Sequence, residues 1–232
     1  MKRIGLIGGM SWESTAVYYR LINQAVRARL GGHASADLVL RSVDFAPVEA
    51  LQRGGDWVGL DAMMAQAAQD VEAAGADFLL LCTNTMHRCA DAIEDAVDVP
   101  LLHIADPLEA ALADLEIQSI GLLGTRYTME QSFYRERLEA AGIDVLVPEE
   151  PDRAEVHRII YEELVVGRIE DTSRTTYKGI MEQLAGDGAD AIVLACTEIG
   201  LLVRPDDALV PLLDTTVLHA QAAVDAALGD LR

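Results

Sequence analysis

The chain has 232 residues, of which 51% are hydrophobic, enough to bury a substantial core in one large domain or two small ones. Thirty-eight acidic residues against eighteen basic ones give a formal net charge of −20, which repels nucleic acid and anionic membrane surfaces. We therefore expect a globular protein with no nucleic-acid or membrane partner. An anionic ligand would need strong local donors, because the overall field works against it.

The first residues, MKRIGLIGG, are typical of a buried strand and show no signal-peptide pattern. No stretch approaches the roughly 18 uninterrupted apolar residues that a membrane helix needs. The three cysteines are an odd number without short paired spacing, which disfavours a disulfide framework or a zinc site. We expect free thiols, no metal and a cytoplasmic location.

The turn after this strand, GGMSWEST from Gly8 to Thr15, lacks the glycine spacing of dinucleotide sites and the Gly-Lys-Ser/Thr of phosphate loops. Nucleotide binding is therefore weakly supported. The glycines still permit a close approach of the backbone, so we expect Met10 and Ser11 to touch a small ligand.

The next strongly patterned segment is a predicted helix over residues 56–74, in which Asp56 is a plausible N-cap and Gly75 a terminator. Its apolar residues recur with helical spacing, which predicts a structural role in the core. The four that we place on or near the buried face are Val58, Met63, Ala67 and Val71.

Three segments of the first half reappear in the same order in the second half, at offsets of 116, 113 and 111 residues. They are IGLIGGM and IGLLGTRYTM, from Ile4 and Ile120; GADFLLLCTNT and GADAIVLACTEI, from Gly75 and Gly188; VPLLHIADPL and VPLLDTTVL, from Val99 and Val210. Short apolar strands alternate with amphipathic helices throughout, which favours an α/β fold with parallel sheets flanked by helices. We predict two pseudo-symmetric domains, residues 1–100 with 214–232 and residues 101–213.

Cys82 and Cys196 each follow an apolar run that predicts a strand, at the end where ligands bind in open α/β sheets. A following helix N-terminus would lower the pKa of each thiol towards neutrality. Cys89 has no counterpart in the second half, and we interpret it as a small buried residue. For the repeated pair we favour a function, whereas burial of either sulfur in packed hydrocarbon would argue against one.

Two related domains that face each other would present two thiols to opposite sides of one molecule. This arrangement suits inversion of a stereocentre, in which one group removes a proton and the other delivers one. The polar residues after the cysteines could stabilise the developing charge or simply cap helices; they are Thr83, Asn84, Thr85 and Thr197. Glu198 either orients a substrate ammonium group or caps the following helix.

The chain has two lysines, Lys2 at the start of the first strand and Lys178 in a predicted surface helix, and this placement disfavours a pyridoxal phosphate Schiff base. His87 could assist at the neighbouring turn, but we favour a position on a helix surface. The other histidines form no ligand pattern; they are His33, His103, His157 and His219.

The first turn, the CTNTMH segment and the ACTEI segment, in this order and nearly end to end, resemble the aspartate/glutamate racemase family. The resemblance implies two pseudo-symmetric α/β domains, no cofactor, a homodimer, and Cys82 and Cys196 as the acid/base pair in a cleft. It also implies that a small acidic amino acid is the substrate. The residues expected to bind its main-chain groups are Thr83, Asn84, Thr85, Thr197 and Glu198, and the candidates for its side-chain carboxylate are Gln52 and Arg168.

Other chemistries share this architecture by the same resemblance, namely hydantoin racemases, arylmalonate decarboxylases and maleate isomerases. A lyase or isomerase that uses one cysteine as base or nucleophile is thus an alternative. A non-catalytic protein that binds acidic small molecules is another. If Gln52 stands where aspartate-specific relatives have arginine, the pocket would accept glutamate as well as aspartate.

Overall fold

The computed structural model describes residues 1–229. The chain folds into two compact units. The first unit comprises Met1–Ile104 together with residues 219–229, and the second comprises Ala105–Leu218. Within the described residues, no helix combines the length and the apolar character needed to cross a membrane.

The first unit is built on a parallel sheet with the strand order β2-β1-β3. Beyond β3, Leu101 forms a further parallel bridge to Leu79. A 3-10 turn, Thr85–Cys89, follows β3. The other elements are β1 (Ile4–Gly8), α1 (Trp12–Leu30), β2 (Leu38–Ser42), α2 (Phe45–Gly54), α3 (Trp57–Ala73), β3 (Phe78–Leu81) and α4 (Ala90–Glu94).

The second unit contains a four-stranded parallel sheet with the strand order β5-β4-β6-β7. Two 3-10 turns, Leu164–Val166 and Pro205–Asp207, connect its helices and strands. The remaining elements are α5 (Ala105–Asp114), β4 (Ser119–Gly124), α6 (Arg126–Glu130), α7 (Ser132–Ala140), β5 (Asp144–Leu146), α8 (Asp152–Glu162), α9 (Asp171–Gly186), β6 (Ala191–Ala195), α10 (Ile199–Leu202) and β7 (Leu212–Asp214). The last helix, α11 (Thr215–Leu228), begins in this unit, and its residues from His219 belong to the first unit.

The two sheets have the same topology, because β1, β3 and the Leu101 bridge follow one another as β4, β6 and β7 do. Each pair of neighbouring strands is parallel and carries helices in its connections. The predicted α/β fold with two pseudo-symmetric domains is therefore confirmed. The short third repeat, VPLL, corresponds to a full strand in the second unit and to an isolated bridge in the first.

The first sheet is covered on both faces, because alternate residues of its strands join two different hydrophobic clusters. The α1/α11 face of this sheet contains Ile4, Leu6, Tyr18, Phe78, Leu80, Cys82, Ala220 and Val224. The α2/α3 face contains Ile7, Val48, Leu60, Met64, Leu79, Leu81 and Met86. In the second unit a cluster with α8 and α9 contains Leu123, Ile159, Tyr177, Ile180, Ile192, Leu194 and Cys196.

Helix α3 confirms the predicted ends but not every predicted face residue. The Asp56 carboxylate accepts a hydrogen bond from Gly59 N at 2.9 Å, and Gly75 adopts a positive φ of 88°. Ala67 and Val71 are buried, whereas Val58 is 80% exposed, so its predicted burial is wrong. The buried stripe starts at Leu60 and continues with Met64, Ala67, Ala68 and Val71, and Val58 lies outside that helical spacing.

Candidate functional site

Cys82 is the first residue after β3, at the carboxyl end of the first sheet, where its backbone N–H donates to Ile7 O at 2.9 Å. Its side chain is fully buried in the α1/α11 face, together with Leu80 and Tyr18. Burial raises the pKa of the Cys82 thiol well above its usual range, because a thiolate would lose its hydration. The sulfur is therefore protonated at neutral pH in this state of the protein.

The three polar residues after Cys82 are all buried, with exposures of 7% for Thr83, 3% for Asn84 and 5% for Thr85. The turn is tight, since Thr83 N donates to Leu81 O at 2.9 Å and His87 N donates to Asn84 O at 3.1 Å. Asn84 makes no capping bond through its side chain. Side-chain capping therefore does not account for its presence in this turn.

His87 does not lie on a helix surface, and that prediction is wrong. It is 3% exposed, with Nδ1 2.7 Å from Thr83 O and Nε2 3.1 Å from the backbone N of Ile104. Two hydrogen bonds to backbone groups compensate the burial of the imidazole. The helical spacing of the sequence could not indicate this, because the residues from Thr85 to Cys89 form a 3-10 turn.

The first turn places Met10 and Ser11, both buried, directly after β1. Ser11 is the N-cap of α1 and accepts a hydrogen bond from Ser14 N at 3.3 Å. Gly9 has a φ of +94°, and a Cβ there would lie 2.6 Å from Val43 N. The requirement for glycine at this position thus comes from the close approach of two backbone segments.

Residues 82–87, which follow β3, form a turn that we call the Cys82 turn. Of the two candidates for binding a substrate side chain, Gln52 is the one that lies beside this turn. It lies in α2, is 4% exposed, and its Nε2 contacts the sulfur of Met86 at 3.1 Å. Met86 follows Thr85 and belongs to the α2/α3 face with Met10. Gln52 therefore lies beside the Cys82 turn on the α2/α3 face, whereas the Cys82 side chain packs on the α1/α11 face.

Cys196 is the first residue after β6 and is 7% exposed. Its sulfur lies 3.1 Å from Oε2 of Glu198, and the Thr197 hydroxyl donates to the same oxygen at 2.7 Å. Glu198 occupies the N-cap position of α10, as one of the two alternatives predicted, but its side chain makes no capping bond. The carboxylate instead turns back towards the cysteine.

Burial is the main reason why the pKa of the Cys196 thiol is raised well above its usual range, and the Glu198 carboxylate adds to it. A negative charge beside the sulfur disfavours a second one. The sequence predicted that helix N-termini would lower both thiol pKa values. That prediction is wrong, because burial is the largest cause at both cysteines and raises each pKa, and the helical segments that follow them are only five and four residues long.

Asp214 is a half-buried acid that the sequence analysis did not select. It ends β7, which pairs with β6 so that Asp214 lies opposite Leu194. Its Oδ1 accepts a hydrogen bond from Thr216 N at 2.8 Å, and burial raises the pKa of its carboxyl group. The third repeat, aligned at its offset of 111, gives the signal that could have found it, because Asp214 corresponds there to His103.

Arg168 stands apart from the buried candidates. It is exposed and follows the 3-10 turn Leu164–Val166, and its guanidinium donates to Glu162 O at 2.6 Å. That turn contacts α10, the short helix after Glu198. Arg168 is thus carried by a segment next to the Cys196 turn, but its visible partner is a backbone carbonyl.

The comparisons with known proteins agree over nearly the whole chain. Over 230 residues it is 23% identical to the broad specificity amino-acid racemase RacX of Bacillus subtilis, covering 97% of this chain and 98% of RacX. A Yersinia pestis structure provisionally described as an Asp/Glu racemase is 54% identical, with a TM-score of 0.91 over 98% of this chain and 100% of that one. An aspartate racemase homologue from Pyrococcus horikoshii is 30% identical, with a TM-score of 0.84 over 98% and 99%.

The profile of the family described as Asp/Glu/Hydantoin racemase matches residues 7–223, from the first strand to the last helix. The matched range contains both Cys-Thr turns and the repeated sheets that carry them. With more than nine tenths of the residues inside the profile, the chain belongs to the Asp/Glu/hydantoin racemase family.

Proposed function

We propose that the protein is a cofactor-independent racemase that interconverts L- and D-aspartate, L- and D-glutamate, or both, with Cys82 and Cys196 as the acid/base pair. The observation that carries the proposal is the repetition of a Cys-Thr turn at the carboxyl end of a parallel strand in each unit. Membership of the racemase family supports the reaction class.

In the proposed reaction one sulfur acts as a thiolate and removes the α-proton, and the electron pair of the broken C–H bond spreads into the α-carboxylate. The other sulfur donates its proton to the opposite face of the α-carbon, so that one C–H bond forms as one S–H bond breaks. The reverse reaction exchanges the two roles. The two thiols therefore titrate as a coupled pair, with one proton between them in the reactive state.

Buried donors near each sulfur would stabilise the negative charge that grows on the substrate carboxylate. Thr83, Asn84 and Thr85 supply them in the first unit, and Thr197 in the second. Met10 and Ser11 would contact the substrate from the first turn. The net charge of −20 makes such local donors necessary, because the overall field repels an acidic substrate.

Glu198 would share a proton with Cys196. The thiol lies within hydrogen-bonding distance of the carboxylate, so a proton can pass from sulfur to oxygen and leave a thiolate beside a neutral acid. This transfer moves the negative charge without adding another to a buried site, which avoids part of the desolvation cost. Glu198 would also be available to orient the substrate ammonium group, as the sequence suggested.

Full burial of Cys82 is the observation that weighs most against the two-thiol mechanism. The sulfur must meet the α-carbon, so the proposal requires that substrate entry open the packing around the Cys82 turn. It also follows that a one-cysteine lyase or isomerase, using Cys196 with Glu198, is the second candidate. The carboxylate partner that Cys196 has is the specific observation in its favour.

Gln52 is the proposed contact for the substrate side chain, since its buried amide reaches the Cys82 turn. Arg168 is a second candidate that would have to release the Glu162 carbonyl. One methylene in such a pocket changes binding by only about 1 to 3 kcal/mol. We therefore propose both aspartate and glutamate as substrates and expect a modest preference between them.

Two measurements test the proposal, each with both enantiomers of aspartate and glutamate and without added cofactor. Proton NMR in deuterated water detects exchange of the α-proton, and circular dichroism follows the interconversion of the enantiomers. Cys82→Ser and Cys196→Ser should each reduce kcat by about 10²- to 10⁴-fold, the usual contribution of an acid/base group. Cys89→Ser is the matched control, because Cys89 is a buried thiol without a repeated counterpart.

Wild-type rates in either cysteine variant would reject the two-thiol mechanism. One inactive variant and one impaired variant would favour the one-cysteine alternative. Saturable binding without deuterium entering the α-position would indicate a binding protein. The predicted homodimer is tested separately, by measuring the molar mass of the protein with size-exclusion chromatography and light scattering.

A further inference from the structure

Three buried histidines lie together in the first unit. The rings of His87 and His103 are 4.5 Å apart between centroids, and those of His87 and His219 are 6.0 Å apart. Their exposures are 3%, 8% and 0%. The proposed reaction uses none of them, so the cluster needs its own explanation.

The partners of His87 define its protonation state. The backbone N–H of Ile104 can only donate, so Nε2 must accept that hydrogen bond with its lone pair. The Thr83 carbonyl can only accept, so Nδ1 must carry the proton and donate it across 2.7 Å. Both contacts select the neutral Nδ1–H tautomer. An imidazolium would place an N–H group against the N–H of Ile104.

These two bonds join the Cys82 turn to the neighbouring chain segment. Thr83 follows Cys82 directly, while Ile104 ends the segment whose Leu101 pairs with Leu79 in β3. Leu79 N donates to Pro100 O, and Leu102 N donates to Leu79 O, each at 2.9 Å. His87 therefore bridges the ends of two adjacent parallel segments, just beyond the last ladder bond.

His219 makes a similar bridge, but its hydrogen bonds go to Leu102 and Tyr18 and not to the Cys82 turn, which it meets only through its edge-on ring contact with His87. Its Nε2 lies 2.8 Å from Leu102 O, and its Nδ1 lies 2.8 Å from the hydroxyl of Tyr18. The carbonyl requires a proton on Nε2, so the Tyr18 hydroxyl donates to Nδ1. His219 thus holds helix α11 and helix α1 to the same segment, and it provides a matched comparison for His87.

The second unit has no equivalent of the His87 bridge. Counting from Cys196, the position that corresponds to His87 is Leu201, which is 39% exposed. A requirement of the fold alone would be expected in both repeats. The bridge is specific to the unit in which the cysteine has no acidic partner beside it.

We propose that His87 is a positioning residue, which in its neutral Nδ1–H form fixes the Thr83 carbonyl and thereby the direction of the Cys82 side chain. Its catalytic consequence rests on the proposed function, whereas its tautomer and its effect on the turn do not. The residue acts through Thr83 and does not touch the substrate.

Nitrogen-15 NMR of the wild-type protein at pH 7 tests the tautomer. Selective assignment of the His87 ring should show a protonated Nδ1 and an unprotonated Nε2, and the His219 ring should show the reverse. An Nε2–H tautomer or an imidazolium at His87 overturns the proposal, and no variant has to fold for this result.

The rate of Cys82 alkylation by iodoacetamide, read by mass spectrometry of its peptide, tests the effect on the turn. His87→Leu removes both hydrogen bonds and should speed Cys82 alkylation on the order of tenfold, because the turn opens more often. His87→Gln keeps a donor and an acceptor and should stay within about threefold of the wild type. His219→Leu, the matched control, should speed Cys82 alkylation less than His87→Leu at an equal loss of Tm.

Equal effects of His87→Leu and His219→Leu on Cys82 would overturn the proposal, because general loosening of the core would explain both. With an active enzyme, His87→Leu should lower kcat with little change in KM, and His87→Gln should recover most of the loss; an unchanged kcat overturns the positioning role. If the wild type does not racemise at all, the proposed function fails, while the tautomer and alkylation results still decide the role of His87 in the turn.

Discussion

The turns that carry Cys82 and Cys196 come from repeated segments, yet the two sulfurs have different surroundings. Cys82 packs on the α1/α11 face of its sheet with Leu80, whereas Cys196 packs with Leu194 in the cluster formed by α8 and α9. In the repeat, α9 corresponds to α3, which covers the opposite face of the first sheet. The two thiols therefore occupy opposite faces of equivalent sheets.

One additional residue between the start of the strand and the cysteine explains this difference. The strand register is the same in both sheets, because Ile4 pairs with Phe78 and the equivalent Ile120 pairs with Ala191, and Phe78 and Ala191 each follow a Gly-Ala-Asp segment. β3 then ends after four residues and β6 after five, so Cys196 stands one residue further along its strand. Because side chains alternate between faces, one extra residue is enough to exchange the face.

The comparison shows that a duplicated residue does not imply a duplicated environment. Cys196 has a carboxylate within hydrogen-bonding distance, whereas burial alone raises the pKa of Cys82. The first turns differ as well. Three residues, Gly9 to Ser11, separate β1 from α1, whereas Thr125 alone separates β4 from α6.

The largest expected effect is on stability. The substitution Gly9→Thr makes the turn after β1 resemble the turn after β4, where Thr125 precedes the helix. Gly9 has a φ of +94°, and a Cβ would collide with the backbone of Val43, whereas Thr125 has a φ of −66° and caps its helix. Strain and overlap together should lower the free energy of unfolding on the order of 2 to 6 kcal/mol. Urea unfolding followed by circular dichroism measures the change.

The control for that experiment is Gly55→Ala. Gly55 also has a positive φ, of 71°, and lies in the left-handed helical region, but a Cβ there has no neighbour within 4 Å. Only the backbone cost of about 1 kcal/mol should remain. If the two substitutions cost the same, the close approach of Val43 does not explain the need for glycine in the first turn.

The next effect separates the two cysteines by their chemistry. Glu198→Gln removes a negative charge beside Cys196, and since that charge disfavours a thiolate, the pKa of Cys196 should fall. Alkylation of Cys196 should therefore begin at lower pH, while that of Cys82 is unchanged. If Glu198 shares the proton as proposed, kcat should nevertheless fall about 10²-fold, because the amide cannot accept it.

Peptide-resolved alkylation between pH 6 and 10 measures the first part, and initial rates of racemisation measure the second. The expected combination is a more acidic thiol in a slower enzyme. A kcat that rises together with thiolate formation would contradict the proton-sharing role and leave Glu198 as an inhibitory charge.

Alkaline pH gives a smaller effect in which the two cysteines should behave alike. Each folded pKa lies above that of an unfolded thiol, which is about 8.5, so the folded state holds the proton more tightly. Each buried thiol contributes its full stabilisation below about pH 8.5. Above it, the free energy of unfolding falls by about 1.4 kcal/mol per pH unit for each cysteine.

Cys82→Ala and Cys196→Ala should each make the decline in unfolding free energy between pH 8.5 and 10 shallower by that amount. Between pH 6 and 7.5 the variants and the wild type should run parallel, which provides the control. A slope that Cys82→Ala leaves unaltered would mean that the Cys82 thiol is not held in the desolvated form that its burial indicates.

Much of the fold could be predicted from the sequence, because its signals are local and periodic. The repeated segments predicted parallel strands in the same order in both sheets, and Asp56 and Gly75 indicated the ends of α3. Val58 was misplaced for a physical reason. An apolar residue in the first turn of a helix fits several helical stripes, and only packing against the sheet selects the stripe that begins at Leu60.

The candidate site could be predicted only as a set of residues near two strand ends. The burial of His87 depends on a backbone N–H at Ile104, 17 residues away, and no periodicity announces such a partner. The predicted direction of the thiol pKa shifts was wrong for a similar reason. The sequence indicated the dipole of a following helix but not the depth of desolvation, which is the larger contribution at both cysteines.

The smallest expected effect concerns the threonine that follows each cysteine. Thr197 donates to the Glu198 carboxylate at 2.7 Å, whereas the bonds of the Thr83 turn are made by its backbone and not by its hydroxyl. Thr197→Val should therefore lower the free energy of unfolding by about 1 kcal/mol more than Thr83→Val, the usual contribution of one hydrogen bond. Paired urea titrations of the two variants measure this difference. Equal losses would show that hydrogen bonds stabilise the two turns to the same extent, and the contrast between Cys82 and Cys196 would then rest on Glu198 and the extra residue of β6 alone.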